Sequence, residues 1–131
     1  MSEENKNIVR RYFEELDRCK ATPEEWCTPD FAFHAAGFPT MDLAAVKQFT
    51  DGFFAGMADL RHPLEELIAE GDKVALRCRY EGTHTGELLG VPASGQTVCA
   101  VGIGVMRIAD GKVAEFWVSP DRATILRQIG A

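Results

Sequence analysis

Two short turn sequences constrain the fold of this chain more than any other feature. Asp110-Gly111 is a typical type I′ hairpin turn, and Glu70-Gly71-Asp72-Lys73 has the composition of a second two-residue turn. The residues on either side of both turns favour strands, and the predicted strands are 64–70, 73–81, 97–109 and 112–118. Strands joined by hairpins pair antiparallel, so the second half of the chain predicts an antiparallel meander.

The first half of the chain follows helical periodicity instead. Apolar residues at three- and four-residue spacing predict one helix over 3–20 and another over 42–57, with a short strand at 31–34 between them. Ser119-Pro120-Asp121 predicts the start of a last helix, with the serine as its cap, and Gly130 ends it. Helices that cover one face of a meander make an α+β fold.

Length and charge limit what the chain binds. Its 131 residues fit a single domain over 1–131, and a net charge of −6 disfavours nucleic acid as a partner. No run approaches the roughly 20 apolar residues of a membrane span. The polar N-terminus lacks an apolar signal segment, so we expect a cytoplasmic protein. The histidines are not at metal-ligand spacing and no nucleotide-binding motif occurs, so we expect neither a metal nor a cofactor.

Small residues in the predicted strand 97–109 suggest a pocket. Counting outward from the second hairpin places Met106 opposite Glu115 and Gly104 opposite Trp117, with Gly102 on the same face. Glycines beside such large side chains leave space on that face. Either a helix packs closely there or a cavity opens there, and the sequence leaves both alternatives open.

The first hairpin places charged residues opposite each other. Counting from Gly71-Asp72 pairs Glu66 with Arg77 and Leu64 with Arg79. One interpretation is a solvated ion pair that contributes about 0–1 kcal/mol. The other is an arginine that faces the pocket and is oriented by Glu66.

Asp121 and His34 are the acid–base candidates. Beside Trp117 and Met106, the Asp121 carboxyl would lose hydration and its pKa would rise; alternatively, it is an acidic residue in a first helical turn. His34 ends a strand and either lines the pocket as a donor or is a partly exposed strand-end residue.

The other two histidines are weaker candidates. His84 lies in a turn-like stretch and bonds either loop backbone or substrate, while His62 precedes Pro63 and is expected at the surface. The predicted catalytic residues are therefore Asp121, His34 and Arg77. The predicted substrate-binding residues are Phe38, Phe53, His84, Gly102, Gly104, Met106, Glu115 and Trp117.

Several motifs together resemble one known family. They are Asp59-Leu60-Arg61-His62, Glu70-Gly71-Asp72-Lys73-Val74, Arg77, Gly82-Thr83-His84-Thr85-Gly86, Gly90-Val91-Pro92, Gly95, Arg107-Ile108-Ala109-Asp110-Gly111-Lys112-Val113, Glu115, Trp117 and Asp121. In this order they resemble the SnoaL-like polyketide cyclases, also called ester cyclases. The similarity covers nearly the whole chain.

The resemblance implies a fold, an assembly and a chemistry. The fold is the NTF2-like cone, in which three to four helices cover a curved antiparallel sheet around an apolar pocket. The resemblance also implies homodimers or larger oligomers, and it implies that Asp121 is the acid/base of an aldol ring closure on an aromatic polyketide ester. Phe116 departs from the pattern, because many relatives carry histidine there.

The expected function is cofactor-free acid–base chemistry on an apolar or aromatic small molecule that contains a carbonyl group, as in an ester cyclase or a related isomerase or hydrolase. The alternative is a non-catalytic module that binds an apolar small molecule or serves as a dimerisation scaffold.

Overall fold

The computed structural model describes residues 2–130; residues 1 and 131, which the predicted domain includes, lie outside them. The elements, in chain order, are α1 (Ser2–Cys19), a 3₁₀ turn (Glu24–Trp26), β1 (Cys27–Ala35), α2 (Leu43–Gly56), β2 (Leu64–Glu70), β3 (Lys73–Thr83), β4 (Thr97–Ala109), β5 (Lys112–Pro120) and α3 (Arg122–Gln128). The predicted element order and the α+β class are confirmed. None of the helices in residues 2–130 has the length and apolar character needed to cross a membrane.

The five strands form one sheet in the order β1-β5-β4-β3-β2. Strands β2 to β5 make the predicted antiparallel meander. Strand β1, for which the sequence predicted no partner, pairs with β5 in parallel at one edge of the sheet. The reason is topological, because β1 reaches β5 through α2 and three intervening strands, and a tight hairpin is the connection that fixes antiparallel pairing.

An irregularity in the last hairpin changes which residues share a face. Pairing begins as predicted with Ala109 opposite Lys112, but a bulge at Ala114 then places Arg107 opposite Glu115. Met106 therefore pairs with Phe116, and the predicted pairing of Met106 with Glu115 is wrong. One extra residue in a strand moves every later side chain to the opposite face.

The same shift corrects the predicted partner of Gly104, which is Val118 rather than Trp117. In the first hairpin Glu66 opposes Arg77 as predicted, whereas Leu64 pairs with Cys78 instead of Arg79 because the register shifts between Leu64 and Glu66. Each hairpin turn thus sets the register of the residues next to it, and the register then shifts at an irregularity further along the strands.

The core lies on one face of the sheet, called here the inner face, which α1 and α2 cover. The apolar stripe of α1 is buried against it through Val9, Tyr12, Phe13 and Leu16. The sheet contributes alternate residues of each strand, and those that are fully or nearly fully buried include Phe31, Phe33, Val74, Leu76, Cys78, Val98, Met106, Val113, Phe116 and Val118. The opposite side, called the outer face, carries most of the charged strand residues.

The last helix begins two residues later than predicted. Ser119 and Pro120 belong to the end of β5, and Asp121 is the residue that caps α3. Its side chain accepts a hydrogen bond from the Thr124 backbone N–H at 3.1 Å. The expectation of a serine cap is therefore wrong, and the acidic residue occupies the capping position, for which aspartate is equally suited.

Candidate active site

An apolar cavity of about 70 Å³ lies between the inner face and the two long helices. Its walls are mostly aromatic, and the residues that line it are Tyr12, Phe13, Leu16, Phe33, Ala35, Phe49, Thr50, Phe53, Phe54, Leu60, His62, Tyr80, Phe116, Val118 and Pro120. Concave, aromatic-lined space with few polar groups is typical of small-molecule sites. The cavity is therefore the candidate active site.

The predicted small residues of β4 lie under the floor of this cavity. A Cβ atom on Gly102 would collide with the ring of Tyr80, and one on Gly104 would approach the Phe116 ring to 2.8 Å. The glycines therefore give room to two aromatic side chains of neighbouring strands, and neither a helix nor empty space lies directly on them. Those two rings in turn line the cavity.

One histidine lies in the cavity wall, and it is His62. It is 9% exposed, so the expectation that it lies at the surface is wrong. Both oxygens of the Asp17 carboxylate hold it: Oδ2 accepts from the His62 backbone N–H at 2.7 Å, and Oδ1 is 2.7 Å from Nδ1. The ring packs edge-on against Tyr80, with centroids 5.2 Å apart, and also contacts Phe13 and Phe54.

This contact defines the state of the imidazole. A carboxylate only accepts hydrogen bonds, so Nδ1 carries a proton and donates to Asp17. The other ring nitrogen, Nε2, has no hydrogen-bond partner among residues 2–130. It is accessible to solvent, because every fully buried side-chain nitrogen or oxygen in those residues has a hydrogen-bond partner. Because the ring lines the cavity, we assign Nε2 to that space.

Two tyrosines supply further polar groups to the same walls. Burial raises the pKa of Tyr12 well above its ordinary value, and a smaller contribution comes from Cys27. Burial likewise raises the pKa of Tyr80, with smaller contributions from Cys78. Both hydroxyl groups therefore stay protonated at neutral pH and can donate hydrogen bonds.

Trp117, Glu115 and His34 lie on the outer face, away from the cavity. The His34 ring stacks on Trp117 with centroids 5.3 Å apart, and its Nε2 donates to Glu115 at 2.7 Å. Its Nδ1 is 3.1 Å from the Thr40 hydroxyl. The expectation that the pocket lies beside Trp117 is wrong, because the bulge at Ala114 places the Trp117 side chain on the outer face.

Arg77 is also on the outer face, which answers the question that the sequence left open. Its guanidinium donates to Glu65 at 2.8 Å and to Glu66 at 3.3 Å, and about two fifths of the side chain is exposed. This is the solvated ion-pair interpretation rather than the pocket-facing one.

Asp121 does not have the environment that the sequence suggested. Its carboxylate is exposed and accepts from the Thr124 hydroxyl at 2.6 Å as well as from the Thr124 backbone. These two hydrogen bonds lower the pKa of Asp121, whereas the expectation was a raised pKa. Met106 and Trp117 cannot flank it together, since they lie on opposite faces of the sheet.

The remaining predicted residues do not lie together. Phe53 lines the cavity, and Phe38 contacts Phe49 with ring centroids 5.0 Å apart. Met106 is fully buried in the core and is not part of the cavity wall. His84 is fully buried too, where Nδ1 accepts from the Ser94 backbone and Nε2 donates to the Val91 carbonyl. That is the loop-backbone role that the sequence offered as its alternative.

Sequence comparison adds the family. The SnoaL-like polyketide cyclase family matches residues 6–129, which is nearly the whole chain. The chain belongs to the SnoaL-like polyketide cyclase family. Over 69 residues it is 36% identical to the aklanonic acid methyl ester cyclase DnrD of Streptomyces peucetius, a match that covers 51% of this chain and 48% of that protein. The chain thus spans about half the length of this curated relative.

Solved structures confirm the SnoaL-like, NTF2-like fold. A protein of Jannaschia sp. CCS1 assigned to the SnoaL-like polyketide cyclases superposes with a TM-score of 0.88 and 28% identity, covering 99% of this chain and 94% of that one. AclR of Streptomyces galilaeus, assigned as a hydroxylase, gives a TM-score of 0.89 and 26% identity, covering 99% and 98%. Because one fold accompanies two assigned activities, the reaction of this SnoaL-like protein is argued from its site.

The site of this SnoaL-like protein contains two residues that sequence reasoning missed, Asp17 and His62. They are 45 positions apart, so no local spacing connects them. The available signal was in α1, where Asp17 follows Leu16 and lies one turn beyond Phe13, at the border of the buried stripe. In residues 2–130 no group of three or more histidine, cysteine or acidic side chains is arranged to hold a metal ion.

Proposed function

We propose that this chain is a small-molecule enzyme that performs cofactor-free acid–base chemistry on an apolar carbonyl compound in the inner cavity. The aldol-type ring closure of an ester cyclase is the reaction class that fits best. The observation that carries the proposal is an aromatic cavity that holds an imidazole in its wall. Membership of the SnoaL-like cyclase family supports the same reaction class.

The size of the cavity limits the substrate. About 70 Å³ is well below the roughly 300–1,000 Å³ of common ligand sites. We expect the reacting carbonyl end of the substrate to enter this space while the rest of the molecule extends past α2. Phe49 and Phe53, which are only partly buried, line the cavity from α2, and their rings would move to admit an aromatic substrate.

The proposed reaction begins with a carbon acid. A base removes a proton α to a carbonyl, and the electron pair of the C–H bond passes into an enolate. The enolate carbon attacks a second carbonyl of the same molecule and forms the new C–C bond. The oxygen of that carbonyl then takes back the proton from the conjugate acid of the base, so no atoms are gained or lost. The protonated hydroxyls of Tyr12 and Tyr80 are the donors available to the enolate oxygen.

The family resemblance offers Asp121 as the base, and this remains a proposal of its own. Its neighbour Pro120 lines the cavity, which places the residue near that space. Its carboxylate, however, is engaged in the cap of α3 with Thr124. A catalytic role would require the carboxylate to leave this cap.

A matched pair of substitutions tests the cavity as the site. Ala35→Leu fills the cavity from β1, and Ala32→Leu adds the same side chain to the outer face of the same strand. Both proteins would be assayed by liquid chromatography with aromatic keto esters, beginning with aklanonic acid methyl ester, the compound in the name of the Streptomyces relatives. We expect ring-closed product from the wild type and Ala32→Leu and at least tenfold less from Ala35→Leu at unchanged melting temperature, an estimate from the sensitivity of catalysis to misplacement.

The outcomes separate enzyme from binding module. Equal turnover by both variants would contradict the proposal that the reaction takes place in the cavity. Saturable binding of the keto esters without conversion of any of them would support the alternative, a module that only binds apolar small molecules.

We also propose that the outer face pairs with a second copy of the chain. It exposes two large apolar side chains, with Ile68 at 61% and Ile103 at 58% exposure. The same face carries Trp117 and the ion pairs that Arg77 and Arg79 of β3 form with Glu65 of β2. Ile103→Glu would convert a dimer to a monomer in light scattering after size exclusion, and a wild type that is already monomeric at micromolar concentration would contradict this.

A further inference from the structure

We infer that His62 is the acid/base of the cavity and that Asp17 is its positioning residue. The inference rests on the proposed function and gives its proton-transfer step to a pair of residues to which the family resemblance assigns no role. It follows from the contacts of the two ring nitrogens: Nδ1 donates to Asp17, and Nε2 is left to the cavity.

The carboxylate of Asp17 fixes the histidine at two points. One oxygen binds the His62 backbone N–H and the other binds Nδ1, both at 2.7 Å. This arrangement sets the main chain and the ring plane together. It also keeps the proton on Nδ1, so Nε2 carries the lone pair that a general base needs, as in other carboxylate–histidine pairs.

The surrounding aromatic rings hold the imidazole in place. Phe13, Phe54 and Tyr80 pack around the imidazole with centroids between 5.2 and 6.2 Å away. The titratable groups that face it are Asp17 from α1 and Tyr80 from β3, with Tyr12 elsewhere in the cavity wall. The charged group in contact with the imidazole is therefore the Asp17 carboxylate, which is already paired with it through Nδ1.

The proton-transfer step balances within the pair and the substrate. Nε2 takes the α proton, the C–H electron pair becomes the enolate, and the imidazolium is stabilised by the ionised Asp17. Nε2–H then returns its proton to carbon or to the new alkoxide. Asp17 keeps its charge throughout and neither gains nor loses a proton.

The test uses a small carbon acid in place of the unidentified substrate. Cyclopentanone in D₂O exchanges its α protons when a base removes them, and NMR measures the loss of the signal. We expect wild-type protein to accelerate the exchange over buffer and His62→Gln to lose about 10²-fold or more of that acceleration, the usual contribution of a placed base. The melting temperature of each protein confirms that the comparison is between folded chains.

Asp17→Asn tests the positioning role with a matched control. The asparagine amide can donate a proton to Nδ1, which would leave the imidazole proton on Nε2 and remove the base. We expect the exchange rate to fall by about tenfold or more. Asp17→Glu, which keeps a carboxylate to accept from Nδ1, should restore part of that rate. Asp59→Asn is the control, since Asp59 also accepts from a backbone N–H at 2.7 Å, that of Thr83, without holding a histidine.

Three results would overturn the inference: no acceleration by folded wild type, exchange by folded His62→Gln within a few-fold of wild type, or equal losses in Asp17→Asn and Asp59→Asn. Failure of the proposed function looks different. In that case cyclopentanone exchange still depends on His62, but no keto ester is cyclised. If the keto esters are cyclised and His62→Gln retains that turnover, the proposed function stands and another base must serve it.

Discussion

A histidine–carboxylate pair lies on each side of the sheet, and the two pairs differ in whether a ring nitrogen is left without a partner. On the outer face, His34 contacts Glu115 at 2.7 Å through Nε2 and Thr40 at 3.1 Å through Nδ1. On the inner face, His62 contacts Asp17 at 2.7 Å through Nδ1. Of these two rings, only the first has a partner in residues 2–130 on both nitrogens. An imidazole can transfer protons to a ligand when one nitrogen is left for that ligand, so contact with a carboxylate does not by itself mark an active site.

The carboxylates of the two pairs also differ in their hydrogen-bond partners. Glu115 accepts from Arg107 at 3.2 Å in addition to His34, and the hydrogen bonds from His34 and Arg107 lower its pKa. Both carboxylate oxygens of Asp17 accept hydrogen bonds from His62. The outer pair is thus part of a surface network of charges, while the inner pair is a two-residue unit in the wall of a cavity. The predictions below test this difference between the faces.

The largest expected difference in stability is between two residues of β4. Met106→Ala removes a fully buried side chain from the inner face and should cost about 2–5 kcal/mol in the free energy of unfolding. Ile103→Ala removes a side chain that is 58% exposed on the outer face of the single chain, and at protein concentrations low enough to keep the chain monomeric it should change stability by no more than about 0.5 kcal/mol. Urea unfolding measures both. A large, concentration-dependent loss in Ile103→Ala would show that the outer face is buried in an oligomer.

The second prediction concerns the glycines under the cavity. Gly102→Ala forces a methyl group against the Tyr80 ring and should destabilise the protein by about 1–3 kcal/mol. Gly52→Ala is the matched control in α2, where nothing lies within 4 Å of the added atom, and it should stabilise the helix by about 0.5–1 kcal/mol. Thermal unfolding checks both signs. If Gly102→Ala is tolerated without loss, the cavity floor is looser than the packing of Tyr80 implies.

The fold was accessible from sequence because its determinants are local. Asp110-Gly111 and Gly71-Asp72 specified two hairpins, and helical periodicity specified α1 and α2. The bulge was harder to predict, although Val113 and Ala114 are adjacent apolar residues where strict alternation would place only one. The prediction from sequence lacked this one extra residue. It therefore assigned Trp117 and Glu115 to the wrong face of β5 and placed them in the pocket.

The candidate site was less accessible because it depends on long-range contacts. His62 and Asp17 come together only when α1 packs across the sheet, and the motif that contains His62, Asp59-Leu60-Arg61-His62, does not include Asp17. Phe53 was predicted in the pocket because it lies on the apolar stripe of α2, and it does line the cavity. Patterns that reveal a core face therefore also reveal pocket walls, whereas polar pairs inside the pocket require the tertiary structure.

The third prediction tests the outer pair by pH. The lowered pKa of Glu115 means that the native state favours its ionised form, so this contribution to stability is present above the ordinary pKa of 4.5 and is lost as the pH falls through the lowered value. Glu115→Gln removes the contribution. At neutral pH the variant should be less stable by no more than about 1 kcal/mol, because the group is near the surface. The difference should shrink steadily as the pH falls below the ordinary pKa, as measured by urea unfolding, and a difference that grows in acid would contradict the assigned contacts.

The smallest expected effect is that of Asp121→Asn, and it decides between the two candidate bases. Asparagine caps helices as well as aspartate does, so the melting temperature at neutral pH should stay close to that of wild type. Because the wild-type carboxylate is engaged with Thr124 and is not part of the cavity wall, keto ester turnover should fall by no more than a few-fold. A loss of about 10²-fold or more at unchanged melting temperature would show instead that Asp121 leaves its cap to act as the base. The inner histidine would then be a structural feature of the cavity wall, and both histidine–carboxylate pairs would serve stability alone.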